Sequence, residues 1–162
     1  MTPWTIRPPT QADAPYIVQT YVRDAASCLS REEHARVDWR SCAERFVAQH
    51  LDAERCLVAG HEGSDTVLGY VLHDGGGVVH WVYTKSVFKR RGVARSLVDA
   101  ACGGSPVVAV THVAKKWQRD RIRAARVRVC ERLAWLLLIG ETNGNEEPSE
   151  EEDRAQGQAA RG

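Results

Sequence analysis

The chain of 162 residues is poor in the features that assign a protein to a compartment or a charged partner. Its cysteines are Cys28, Cys42, Cys56, Cys102 and Cys130, an odd number with no Cys-x-x-Cys pair and no zinc-like spacing to histidine. That argues against a disulfide framework, offers no metal site, and leads us to expect reduced thiols in a cytoplasmic protein. The 22 basic residues are balanced by 21 acids, so no global field draws the chain to nucleic acid or to a membrane surface. Met1-Thr2-Pro3-Trp4 lacks a basic region followed by an apolar core, so no secretory signal is expected. The longest apolar run, Leu133 to Ile139, is too short to span a bilayer. No Ser/His/Asp nucleophilic set is recognisable. What remains is a length suited to one domain and, at 43% hydrophobic residues, enough apolar material for a core.

The most informative stretch is Val82 to Asp99, VYTKSVFKRRGVARSLVD, where an apolar run ends in a basic, glycine-containing turn that opens into an amphipathic helix. Helix N-termini present unpaired N–H groups and the positive end of the macrodipole. A pyrophosphate set against Gly92, Val93, Ala94 and Arg95 meets those donors, with Lys89, Arg90 and Arg91 adding full charges. Gly92 admits the anion without a Cβ in the way, and Ala94 keeps the next turn slim. The bland alternative is an ordinary basic strand-to-helix turn.

Lys89-Arg90-Arg91-Gly92-Val93-Ala94 resembles the Gln/Arg-x-x-Gly-x-Gly/Ala signature with which GNAT-family N-acetyltransferases grip the pyrophosphate of acetyl-coenzyme A. Lys89 departs from it, keeping the charge but not arginine's planar fork. The rest of the chain follows the same order from about residue 4 to 113. Trp4 to Arg7 reads as a strand stopped by Pro8-Pro9. Thr10 stands as an N-cap with Asp13 in the box position, and Ser30 with Glu33 starts a second helix running to about Leu51. Arg55 to Gly60, Val67 to His73 and Val78 to Thr84 read as an antiparallel meander, broken by Gly63-Ser64-Asp65 and Gly75-Gly76-Gly77. Val93 to Cys102 is the phosphate helix and Val107 to His112 the next strand. The expected fold is therefore α/β, a mixed and mostly antiparallel central sheet flanked by helices.

Beyond His112 the likeness weakens. Ala114 to Leu137 reads as one helix, with Ile122, Ala125, Val129, Leu133 and Leu136 on one face. Family members next supply two strands, whereas here only Trp135 to Ile139 has that character, so the C-terminal part looks shortened. Residues 1–140 are expected to form the acyltransferase domain and 141–162 a disordered acidic tail. An unpaired sheet edge would favour a homodimer.

The resemblance implies acetyl-coenzyme A as co-substrate, with its pantetheine arm along the strand at Val82 and Thr84 and its acetyl group between that strand and the one carrying His112. Acetyl transfer needs a base for the amine, stabilisation of an oxyanion and an acid for the thiolate. Alternation puts His80 on the side of Val82 and Thr84, and His112 at the far end of the adjacent strand, so these two are the candidate bases. Each also suits a packing or hydrogen-bonding role. The tyrosine that often serves as acid after the last core strand is missing, since Tyr70 and Tyr83 lie on earlier strands.

The function implied is transfer of acetyl from acetyl-coenzyme A to a primary amine, on a small molecule or a protein, by direct attack on the thioester. A catalytically silent module of the same fold is the alternative, as is a nucleic-acid-modifying enzyme. Lys115 to Arg132 carries eight cations against two acids, Asp120 and Glu131, and a basic helix there would suit a phosphate backbone. It equally suits a solvated face neutralised by the acidic tail. Compact members with a segment like VVHWVYTKSVFKRRGVARSLV are similar to bacteriophage-encoded ones, for which nucleic acid or a host protein becomes the more natural target.

Overall fold

The computed structural model describes residues 4–27, 38–61, 63–111 and 127–129. Its centre is a six-stranded sheet in sequence order: β1 (Trp4–Arg7), β2 (Cys56–His61), β3 (Val67–His73), β4 (Val78–Thr84), β5 (Ala109–Val110) and β6 (Arg128–Val129). The pairings from β1 to β4 are antiparallel, and β4–β5 and β5–β6 are parallel. This is the mixed, mostly antiparallel sheet that the sequence implies.

Helices α1 (Ala14–Ala26) and α2 (Trp39–His50) pack on one face, where Ile17, Tyr21, Phe46, Val47, Val58, Tyr70, Leu72 and Trp81 form a core. Tyr21 is its hub, stacked on Phe46 at 5.6 Å and edge-on to Trp81 at 5.4 Å. Truncating such a buried ring to alanine costs about 3–5 kcal/mol. Helix α3 (Val93–Ala101) covers the other face, setting Val93 and Leu97 against Ala59, Leu68, Val71 and Val79. β3 lies between both layers and is buried along its whole length, so it reads as a continuous apolar run.

Several boundaries differ from the sequence reading. α1 begins at Ala14 rather than just after Thr10, behind a turn over residues 11–13 in which the Asp13 N–H bonds the Thr10 carbonyl at 3.0 Å and the Asp13 carboxylate reaches back to Thr10 as its box position implies. That carboxylate takes two bonds from Arg7, at 2.6 and 3.0 Å, and the Thr10 N–H at 2.7 Å. Burial works to raise the Asp13 carboxyl, but Arg7 and Thr10 outweigh it and hold it below the usual carboxylate range. The helix expected from Ser30 starts at Trp39, behind Asp38, whose side chain accepts from the Ser41 N–H at 3.3 Å. Ser30 itself lies outside the described residues.

The single helix expected over 114–137 is also corrected. Arg128–Val129 is a strand beside β5, with the Arg128 N–H on the Val108 carbonyl at 3.1 Å, so no continuous helix crosses that position. The local Val-Arg-Val alternation, branched at β on both sides, explains the preference. The remaining basic residues of Lys115 to Arg132, the strand expected at 135–139 and the tail at 141–162 lie outside the described residues. Cys42, Cys56 and Cys102 are free and buried, as expected, and burial pushes the Cys56 thiol up to about 12. Among the described residues no helix is long and apolar enough to cross a membrane.

Candidate functional site

The basic turn is built where β4 leaves the sheet. Gly69 on β3 sets the end of β4, since a Cβ there would lie 2.5 Å from the Tyr83 carbonyl oxygen. Only glycine allows so close an approach of two backbones. The Lys85 N–H then bonds the Leu68 carbonyl at 2.9 Å, and the 3-10 turn Ser86–Phe88 follows. Phe88 packs against the α3 layer and meets the His61 ring at 5.8 Å, which roots the turn.

From there the backbone φ changes sign residue by residue. Arg90 has φ 64°, Arg91 is negative, Gly92 has φ 91°, and Val93 enters α3. Successive residues of opposite φ are the torsional pattern from which anion-binding nests are built. A non-glycine residue in the left-handed region costs about 1–2 kcal/mol, so Arg90 is held there against its own preference. α3 has no side-chain cap and no acid in its first turn, and its first intrahelical bond is Ser96 N–H to Gly92 carbonyl at 2.9 Å. The N–H groups of Val93, Ala94 and Arg95 precede that bond.

Each residue expected to hold the cofactor has a definite place. Lys89, Arg90, Arg91, Gly92, Ala94 and Arg95 are exposed together on the rim of the turn. Val93 is buried at 1% exposure, so its side chain anchors the helix and only its backbone faces outward. Arg91 lies over the Phe88 ring at 5.6 Å, whereas Arg95 reaches down the helix to Asp99 at 3.7 Å. Val82 belongs to the α3 layer, and Thr84 has a buried hydroxyl with no hydrogen-bond partner among the described residues. β5 pairs with β4 only at Val78 and Val79, well short of Val82 and Thr84.

His80 is not where alternation puts it. The β3–β4 register shifts between Leu72 and His73, whose partners are Trp81 and Val79, so His80 is an extra residue in a β-bulge. The bulge turns His80 to the α2 side, edge-on to Phe46 at 5.4 Å and His50 at 4.9 Å, while Val79 and Val82 face α3. The ring is fully buried. Its Nδ1 is 3.0 Å from Thr111 Oγ1 and its Nε2 is 2.9 Å from Asp74 Oδ2. Burial leads in pulling the imidazole below its ordinary value, although Asp74 acts the other way. For Asp74 burial works upward, but His80 and His50 prevail and hold the carboxyl low. His112 lies outside the described residues.

Two groups were not singled out from the sequence. Tyr16 on α1 and Tyr83 on β4 meet hydroxyl to hydroxyl at 3.2 Å, with the Lys85 ammonium 4.7 Å from the Tyr16 ring centre. Burial and the Tyr83 contact push the Tyr16 phenol upward, so it stays protonated at neutral pH. The other group joins His50 and Asp74 to His80; Asp74 precedes a glycine turn and His50 ends a helix, positions that read as punctuation in a sequence.

No family model matches the chain, and no curated protein is similar to it at a significant level. Nine solved chains are similar in fold. Diaminobutyrate acetyltransferase EctA from Paenibacillus lautus, solved with L-2,4-diaminobutyric acid and coenzyme A, is 21% identical over 64% of this chain and 62% of its own, with a TM-score of 0.41. Apo YjaB from Escherichia coli is 20% identical over 62% and 65%, with a TM-score of 0.44. A proposed GNAT-family acetyltransferase from Desulfovibrio desulfuricans is 16% identical over 60% and 63%, with a TM-score of 0.38. The chain thus spans less than two thirds of the length of each of these proteins.

Proposed function

We propose that the chain is an acetyl-coenzyme A-dependent N-acetyltransferase of the GNAT type, acting on a primary amine. The observation that carries this reading is the turn from Arg90 to Val93, where alternating φ, an uncapped helix start and exposed cations coincide directly after β4. A turn built only to connect a strand to a helix has no need of a left-handed arginine.

In this reading Lys89, Arg90 and Arg91 neutralise the pyrophosphate, and the backbone of Gly92, Val93, Ala94 and Arg95 donates to it. A Cβ at Gly92 would meet nothing within 4 Å, so the open side of the turn has room for a ligand. β4 beyond Val79 offers backbone groups at Val82 and Thr84 for the pantetheine amides. When bound, the coenzyme supplies the activated acetyl thioester.

The chain's own residues then handle protons. His112 takes the proton of the attacking amine. His80, closed off from solvent, holds Thr111 just after β5. Tyr16 and Tyr83 supply the phenol missing after the last core strand: Tyr16 donates its O–H to the Tyr83 oxygen, which leaves the Tyr83 O–H to protonate the departing thiolate.

The test is thiol release from acetyl-coenzyme A across a panel of polyamines, amino acids and lysine-rich peptides, with products weighed by mass spectrometry. Thiol release matched by acetylated amine supports the reading. Coenzyme binding without transfer to any amine would instead mark a silent module.

A further inference from the structure

Two histidines and a carboxylate converge where α2, the turn after β3 and the bulge of β4 meet. His50, Asp74 and His80 have donor atoms that all lie within 4.8 Å of one another. His50 Nε2 is 3.4 Å from one Asp74 oxygen, and His80 Nε2 is 2.9 Å from the other. The far nitrogens of both rings are already occupied. His50 Nδ1 is 2.8 Å from the Phe46 carbonyl oxygen, which can only accept, so Nδ1 carries hydrogen and the neutral ring turns a lone pair inward. His80 Nδ1 lies 3.0 Å from the Thr111 hydroxyl, which accepts from it when the Nε2 lone pair is turned inward and donates to it in the other tautomer.

Such outer partners are the arrangement found behind metal-bound histidines, where they fix the tautomer and the ring plane. With the Thr111 hydroxyl accepting from His80 Nδ1, the Asp74 carboxylate faces two imidazole lone pairs, an arrangement that a cation between them satisfies. The three groups gather their donor atoms into one small volume.

We propose that His50, Asp74 and His80 bind one divalent first-row transition cation of the zinc class. Zinc bonds of about 2.0–2.2 Å at tetrahedral angles set donor atoms about 3.3–3.5 Å apart, so well under about 1 Å of movement per side chain closes the site. The two imidazoles and one carboxylate are a borderline donor set suited to that class. His50 and His80 side chains are 8% and 0% exposed, whereas Asp74 is 45% exposed. The ion is therefore walled by protein on the histidine side and open at the carboxylate, leaving a position for water. His73 is outside this group of donor atoms; its Nδ1 accepts the Gly75 N–H at 3.1 Å and shapes the turn that carries Asp74.

The test uses the full chain without a histidine tag, stripped with chelator and titrated with cobalt(II) under visible absorption. The expected result is one equivalent bound with the intense spectrum of four- or five-coordinate cobalt, no thiolate charge-transfer band, and displacement by zinc. Asp74→Asn, at an exposed position that leaves the fold in place by circular dichroism, should weaken binding at least about tenfold. His50→Gln should do the same. A spectrum no different from aqueous cobalt, a thiolate band, or affinity unchanged in Asp74→Asn would overturn the proposal, and the exposed variant decides the matter if His50→Gln does not fold.

Discussion

The two ends of β4 carry two candidate sites of opposite character. At its C-terminal end the basic turn is exposed, contiguous in sequence and shaped by backbone torsions. Near its N-terminal end His80 is sealed in a cluster drawn from three elements and shaped by a bulge. The first works by turning donors and charges toward solvent, the second by gathering two imidazoles and a carboxylate inside the protein. Variants at the turn should therefore change ligand binding with little cost in stability, while changes beneath the sheet should cost stability first.

The most damaging test of that contrast is Gly69→Val, which drives a Cβ into the Tyr83 carbonyl under the strand that both sites share. We expect a loss of more than about 3 kcal/mol in urea unfolding, with both sites lost together. Retained stability would mean that β3 and β4 separate more easily than their packing implies.

Next in size is Asp13→Asn, expected to cost about 2–3 kcal/mol because it leaves Arg7 without its carboxylate. The sign with pH follows from the depressed folded-state value of Asp13. Its contribution is present above the unfolded carboxyl value of about 3.9 and is lost as pH falls through the lower folded value. Unfolding followed from neutral to acid pH should show the wild type and Asp13→Asn converging below that range. Coenzyme binding by the folded variant should be unaffected.

The smallest effect on stability, and the sharpest on the comparison, belongs to Arg90→Gly. Relief of the left-handed torsion should stabilise the protein by about 0.5–1 kcal/mol, while loss of the cation weakens coenzyme binding. Thermal unfolding and calorimetry on one sample measure both. Equal or lower stability would show that Arg90 is not strained.

How much of this was legible in the sequence follows the same division. β1, β3 and β4 have the expected bounds because their apolar runs end at prolines, glycines or polar turns within the segment itself. The basic turn was readable for the same reason. The start of α1 was not, since a turn over residues 11–13, where Arg7 and Thr10 share the Asp13 carboxylate, comes before the helix. Nor was the orientation of His80, because a bulge breaks the alternation on which any strand-face reading rests. The helical period over 114–137 outweighed the branched pair at 127 and 129, which sheet pairing with β5 then claimed. His50 and Asp74 gave no local signal at all; only the packing of α2 on the bulge brings them to His80.

The central claim rests on the turn at Gly92, and calorimetric titration with acetyl-coenzyme A and with free coenzyme A, on wild type and Gly92→Val, tests it most directly. A branched side chain at φ 91° is strained but meets nothing within 4 Å, so the fold should persist while the nest is distorted. The account predicts saturable binding of both ligands by the wild type and a loss of at least about tenfold, roughly 1.4 kcal/mol, in the variant. No binding by folded wild type, or equal affinity in both proteins, would contradict it.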